Sequence, residues 1–313
     1  MSDFVQRLSQ RRVLWSRLGP LGRALAVAIE PRQPPILVLS HPRSGSTWVG
    51  NTLGRAGGAL YLREPLTQAY VRTKPEGVVL EVSERGPPPS YLKAAAFVDR
   101  AQPAFGSHVV PYPGQWALGR RSRSRLVVKE VNPLALDWFI ARWQPRVIFL
   151  VRHPAGVASS FAALGWLGPP CMRAFERRFG PGWCAEIDVS RHLHSPWSQI
   201  GAVQAIALNF VRDLLDQWPD HMVVRYEDLC ADPIAQFRRL CAFAQLDWTY
   251  HVEEAVRLQS GVHEHDRSDA YGTIRNSRRM ADAWRRELEP AEIEAVKRAY
   301  LHYLPPYYRP EAW

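Results

Sequence analysis

At 313 residues, 46% of them hydrophobic, the chain can bury a large core, and without internal repeats or a long linker it reads as one domain with insertions. A formal charge of +10 and a pI near 9.8 favour an anionic ligand or surface. Four cysteines without metal-ligand spacing, and no apolar run near the ~20 residues of a bilayer span, exclude disulfide scaffolds, cysteine-ligated metal modules and membrane-spanning bundles.

Residues 1–33 form a basic, amphipathic extension. Its one apolar run, Ala24 to Ile29, is too short for a signal-peptide core and leaves a docked or membrane-surface helix as the reading. No Asn-x-Ser/Thr site is present and thiols are few, so a reducing, cytoplasmic location is expected; Cys171 and Cys184, flanking a Gly/Pro-rich stretch, are the candidate pair. The domain proper, 34–313, opens with the apolar run Ile36 to Leu39, a buried strand feeding Ser40-His41-Pro42. Arg43, Ser44, Gly45, Ser46 and Thr47 then combine a cation, hydroxyls and backbone freedom, and Trp48, Val49 and Leu53 begin a helical stripe. A strand, a small-residue loop and a helix N-terminus make a favourable seat for a phosphate or another tetrahedral anion. ATP- and GTP-binding P-loops need a lysine where Ser46 stands, which disfavours a nucleoside triphosphate.

Further strands are expected at Ala59–Leu62, Leu126–Lys129, Val147–Val151 and Met222–Tyr226, with helices over Pro133–Trp143 and Gln199–Trp218. From Ile234 the pattern is mainly helical, and Pro290 suits a first helical turn. This alternation predicts an α/β fold with a mainly parallel sheet flanked by helices, under a helical C-terminal cover. Residues 71–125 and 164–198 show no clear period and read as insertions. The stretch "RVIFLVRHPAGVASSF" repeats the first arrangement: a strand, then Arg152, then a helix carrying Ser160 eight residues on, so that both can reach one phosphate. Two such loops suggest a ligand with two separated anionic groups.

In these motifs the sequence resembles the sulfotransferases that use 3′-phosphoadenosine-5′-phosphosulfate (PAPS). "PRSGSTW" resembles their 5′-phosphosulfate loop and "VRHPAGVASSF" their 3′-phosphate motif, while "LREPL" and "VRYEDLCADP" are most similar to the carbohydrate branch. The resemblance implies a P-loop-like sulfotransferase fold, PAPS as co-substrate and PAP as product. Arg43, Ser44, Gly45, Ser46 and Thr47 would hold the phosphosulfate, Arg152 and Ser160 the 3′-phosphate, and Trp48 and Tyr226 would flank the adenine. "RNSRRMADAWRREL" is similar to the family's closing segment but lacks its glycines, which makes Arg278 and Arg279 weaker members of the 3′-phosphate site.

Sulfuryl transfer needs a cation for the departing oxygen and a base for the acceptor hydroxyl. Arg43 is the first cation and Lys129 the second, with ion pairing to Glu130 as the plain alternative for Lys129. Val131 stands where phenol-type relatives carry a histidine, whereas Glu64 matches the glutamate of carbohydrate-type relatives. Pro65 disfavours a helical Glu64 and points to a turn at the sheet's edge. Pairing with Arg63 is the plain alternative for Glu64, and Glu130 is the reserve base. His41, His108, His192 and His194 read as loop or solvent residues. The expected acceptor is a hydroxyl of a sugar, glycolipid or glycosylated natural product, with no metal and no nucleic acid; a P-loop kinase and a basic nucleic-acid-binding protein are the competing readings.

Overall fold

The computed structural model describes residues 28–71, 89–102, 105–167, 189–192, 195–260 and 280–313, with isolated positions 20, 21, 24 and 87. Cys171, Cys184, His194, Arg278 and Arg279 lie outside the described residues, as do most of 1–27 and of 164–198.

Five parallel strands form one sheet in the order β2-β3-β1-β4-β5: β1 (Ile36–Ser40), β2 (Ala59–Arg63), β3 (Arg125–Glu130), β4 (Arg146–Val151) and β5 (His221–Arg225). The strands are short, each with an apolar middle and polar residues at one or both ends, and β1 to β4 are buried almost throughout, as a parallel sheet covered on both faces requires. Every expected strand is present within a residue or two, except that Tyr226 opens a helix rather than closing β5. Alternation divides the side chains. Leu37, Leu39, Leu60, Leu62, Val128 and Phe149 face one layer, and Ile36, Val38, Tyr61, Val127 and Ile148 face the other.

The first layer holds α2 (Pro65–Val71), α3 (Pro89–Asp99), α4 (Leu136–Trp143) and α6 (Pro196–Leu215); the second holds α1 (Ser46–Leu53), α8 (Pro233–Ala244) and α9 (Tyr250–Ser260). Helix α5 (Pro154–Ala162) packs against both α6 and α11 (Pro290–His302), which also pack on each other, and α7 (Tyr226–Ala231) and α10 (Trp284–Glu287) are short connecting turns. Six of these helices start at a proline, whose fixed φ and missing N–H suit a first turn. Helix α3 lies inside the stretch 71–125 that the sequence left unassigned, with Tyr91 fully buried. No helix among the described residues is long and apolar enough to cross a membrane.

Candidate functional site

Strand β1 is the middle strand, with β3 on one side and β4 on the other, so the loop after it opens where the sheet's connections diverge, the place where open α/β sheets take ligands. Two residues of that loop have left-handed backbones, Arg43 at φ 69° and Gly45 at φ 92°. Gly45 is the N-cap of α1, and a Cβ there would lie 2.5 Å from Tyr226 Cδ2, so only glycine lets the ring close over the loop. Ser44 and Ser46 are buried, and the Ser40 hydroxyl donates to Ser46 Oγ at 2.8 Å, while Arg43 and Thr47 stay half-buried. The first N–H groups of α1 have no partner within the helix and face this turn.

The second loop joins the first directly. Arg43 Nε donates to Ser160 Oγ at 2.8 Å, and Arg152 Nη1 donates to the Arg43 carbonyl at 2.9 Å. Arg152 also lies 4.6 Å over the Tyr226 ring, and its Nε is buried without a hydrogen-bond partner. Cationic and hydroxyl donors gathered where the two loops meet, one donor unspent, fit tetrahedral anions. Trp48 and Tyr226 are each more than nine-tenths buried and meet edge to face at 6.3 Å, so both rings support the loop from within.

At the neighbouring strand ends, Glu64 follows β2 with φ 52°, and its N–H donates to the Lys129 carbonyl at 2.6 Å. Its carboxylate pairs with the Lys129 ammonium, and Lys129 is almost fully buried against Glu64 at 18% exposure. Burial, the largest influence, pushes the Glu64 carboxyl up, but the Lys129 charge and hydrogen bond, with Gln68 and Arg63, outweigh it and hold the group below its ordinary value. The plain alternatives for both residues are thus corrected. Neighbouring residues on a strand face opposite sides, so Lys129 cannot meet Glu130, and Arg63 is engaged by the carbonyl and ring of His108 at 2.9 Å.

Glu130, the reserve base, is fully buried and accepts from the Leu66 N–H at 2.8 Å, the Thr67 N–H at 3.3 Å and the Thr67 hydroxyl at 2.6 Å. It caps α2, and burial pushes its carboxyl up to about 7. His41 and His192 are buried rather than solvent-facing. His41 Nδ1 bonds the Pro42 carbonyl at 3.0 Å, and burial lowers its pKa to about 4. No group of three or more His, Cys, Asp or Glu side chains suited to a metal occurs among the described residues.

His153, Tyr308 and Glu227, none of them among the expected site residues, meet beside the second loop. Glu227 accepts from the His153 N–H at 2.9 Å and from the Tyr308 hydroxyl at 2.6 Å. Glu227 and His153 carried a signal, their places in "VRYEDL" and "VRHPAG"; Tyr308 carried none.

The family model described as "Sulfotransferase family" matches residues 34–250, the span that carries all five strands and both anion loops. The chain belongs to the sulfotransferase family. This sulfotransferase is 30% identical over 167 residues to human carbohydrate sulfotransferase 3, a match covering 50% of the chain and 31% of that protein, so the alignment spans about a third of its relative's length. Among solved structures it is similar to the sulfotransferase domain of the Synechococcus PCC 7002 olefin synthase, at 19% identity and a TM-score of 0.48 over 86% of this chain and 95% of that one. It is also similar to mouse sulfotransferase SULT7A1 complexed with PAP, at 12% identity and a TM-score of 0.45 over 88% and 86%.

Proposed function

We propose that the protein transfers a sulfuryl group from PAPS to a hydroxyl of a carbohydrate, glycolipid or glycosylated natural product by in-line displacement. The observation that carries this reading is the contact of Arg43 with Ser160, which brings the two anion loops into one site on a chain of this family. When bound, the donor supplies an activated sulfuryl group and a phosphate leaving group. Arg43, with the N–H groups and hydroxyls of 44–47, holds the phosphosulfate end; Arg152 and Ser160, with Arg278 and Arg279 as further candidates, hold the 3′-phosphate. Tyr226 closes behind Gly45, and Trp48 backs it.

Glu64 is the proposed base. Held ionised, it accepts the acceptor's proton as the acceptor oxygen bonds to sulfur and the sulfur–oxygen bond to the phosphate breaks. Lys129, released from Glu64 when that carboxyl is neutralised, then meets the charge gathering on the departing oxygen together with Arg43. The left-handed turn at Glu64 sets its carboxylate at the C-terminal edge of the sheet, on the side of the first loop.

Melting the protein with PAP, ATP or a short oligonucleotide tests the donor, since a ligand preferring the native state raises the melting temperature. PAP should raise it most; a shift with ATP or the oligonucleotide but not PAP would defeat the reading. Arg152→Ala should weaken PAP by at least tenfold more than adenosine 5′-phosphosulfate, which lacks the 3′-phosphate, and equal losses would remove Arg152 from that role. A sulfation screen over sugars, glycolipids and phenols with labelled PAPS then tests the acceptor class.

A further inference from the structure

The second anion loop is tied to the C-terminal part of the chain beside both of its binding residues. Next to Arg152, His153 gives its N–H to Glu227 Oε1, and Glu227 Oε2 receives the Tyr308 hydroxyl. The His153 ring stacks on Trp284 at 4.3 Å and 7°, meets Trp313 at 4.5 Å, and lies 3.1 Å from the Ala312 carbonyl through Nε2, while Nδ1 accepts from the Ala155 N–H. Those two contacts demand one tautomer, with the proton on Nε2. Next to Ser160, the Ser159 hydroxyl donates to Glu287. Arg152 itself donates to the Met280 carbonyl at 3.4 Å.

We propose that the segment Met280–Trp313 is a clasp that aims Arg152 and Ser160 at the donor's 3′-phosphate, with Glu227, Tyr308 and His153 as positioning residues. None of the three needs to touch the donor. Glu227 fixes the backbone next to Arg152, Tyr308 fixes Glu227, and the His153 ring docks that backbone on the C-terminal segment. Tyr308 holds φ at 55°, a left-handed conformation unfavourable for an aromatic residue, and the Arg225 guanidinium lies 5.0 Å over its ring, so its hydroxyl is held on Glu227 against a local backbone cost. Burial lowers the His153 pKa to about 3, which keeps the imidazole in the neutral tautomer the clasp uses. Glu227 is thereby the joint between α7, the second loop and the C-terminal segment.

This inference rests on the PAPS reading, and its test separates the two. Binding of PAP and of adenosine 5′-phosphosulfate to the full chain is measured by titration calorimetry, with melting temperature and kcat alongside. Tyr308→Phe keeps the ring and loses only the hydroxyl. It should weaken PAP on the order of tenfold, part of the 10²-fold that 1 Å of misplacement can cost, leave adenosine 5′-phosphosulfate within about twofold, and leave kcat at saturating PAPS within about threefold. Glu227→Gln, which retains an oxygen for the His153 N–H, should recover part of the loss seen in Glu227→Ala. Trp313→Leu, removing a ring from His153, should move the same ratio in the same direction. An unchanged ratio of the two affinities in Tyr308→Phe and Trp313→Leu, with or without a lower melting temperature, overturns the clasp. A parent protein that binds both ligands equally overturns the donor reading and the clasp with it.

Discussion

Arg43 and Glu64 both hold left-handed backbones, at 69° and 52°, a cost of about 1–3 kcal/mol each that neither side chain needs for packing. Such a cost persists where the surrounding structure fixes it, and here Lys129, Ser160 and Arg152 do so. Glu64→Gln keeps the shape but cannot take a proton, so kcat should fall by roughly 10²–10⁴-fold with PAP affinity nearly unchanged. The acid limb of its pH–rate profile, expected below the ordinary carboxylate value, should vanish; near-normal turnover at saturating acceptor would move the base elsewhere. Glu130 gives a different prediction. An acid raised to about 7 is protonated more in the folded than in the unfolded chain, so its stabilising contribution is complete below 4.5 and is lost as pH rises through 7. His41 and His153, lowered to about 4 and about 3, do the reverse: their contribution is complete above 6.5 and is lost as pH falls. Melting temperature should therefore climb more steeply between pH 4.5 and 7 in Glu130→Gln than in the parent; a shallower climb would contradict the burial of that carboxyl. Glu64's turn was legible because Pro65 forbids helix there. Its partner was not, since pairing with Lys129 depends on the register that sets Arg63 beside Lys129.

Among the elements, the strands and the helices opening at Pro154, Pro233 and Pro290 were legible for a local reason: three to five consecutive apolar residues, or a proline that fixes φ, carry their conformation within themselves. Helix α3 was not, because Pro, Gly and Arg surround "PSYLKAAAFVD" and its stability comes from burying Tyr91 against Phe139 and Trp138. The clasp was illegible for the same reason at longer range, since Tyr308 lies 81 positions from Glu227. Helices α6 and α11 approach closely at Gly201, where a Cβ would run into the Val296 carbonyl. Gly201→Ala must push α11 away or break its packing, a cost of about 1–3 kcal/mol. Thermal melting should show it as a fall of several degrees, and an unchanged melting temperature would mean that the two helices have room to part.

Over the whole molecule, the charge of +10 makes the protein attractive to a multiply anionic donor before any contact forms. Stopped-flow association of PAP should slow by several-fold between low salt and 0.5 M, while dissociation, set by the loops' short-range contacts, changes less. A rate insensitive to salt would confine the attraction to the two arginines at contact distance. The sheet order has another consequence, one of timing. In β1, Leu39 pairs with Glu130 on one side and Phe149 on the other, partners synthesised roughly 90 and 110 residues later. At ~5–20 residues per second, a nascent chain carries this bare apolar strand, both edges open, for roughly 5–20 s. The strand that leads into the first anion loop is therefore an aggregation hazard at birth, and its shortness limits the length of open edge during that wait.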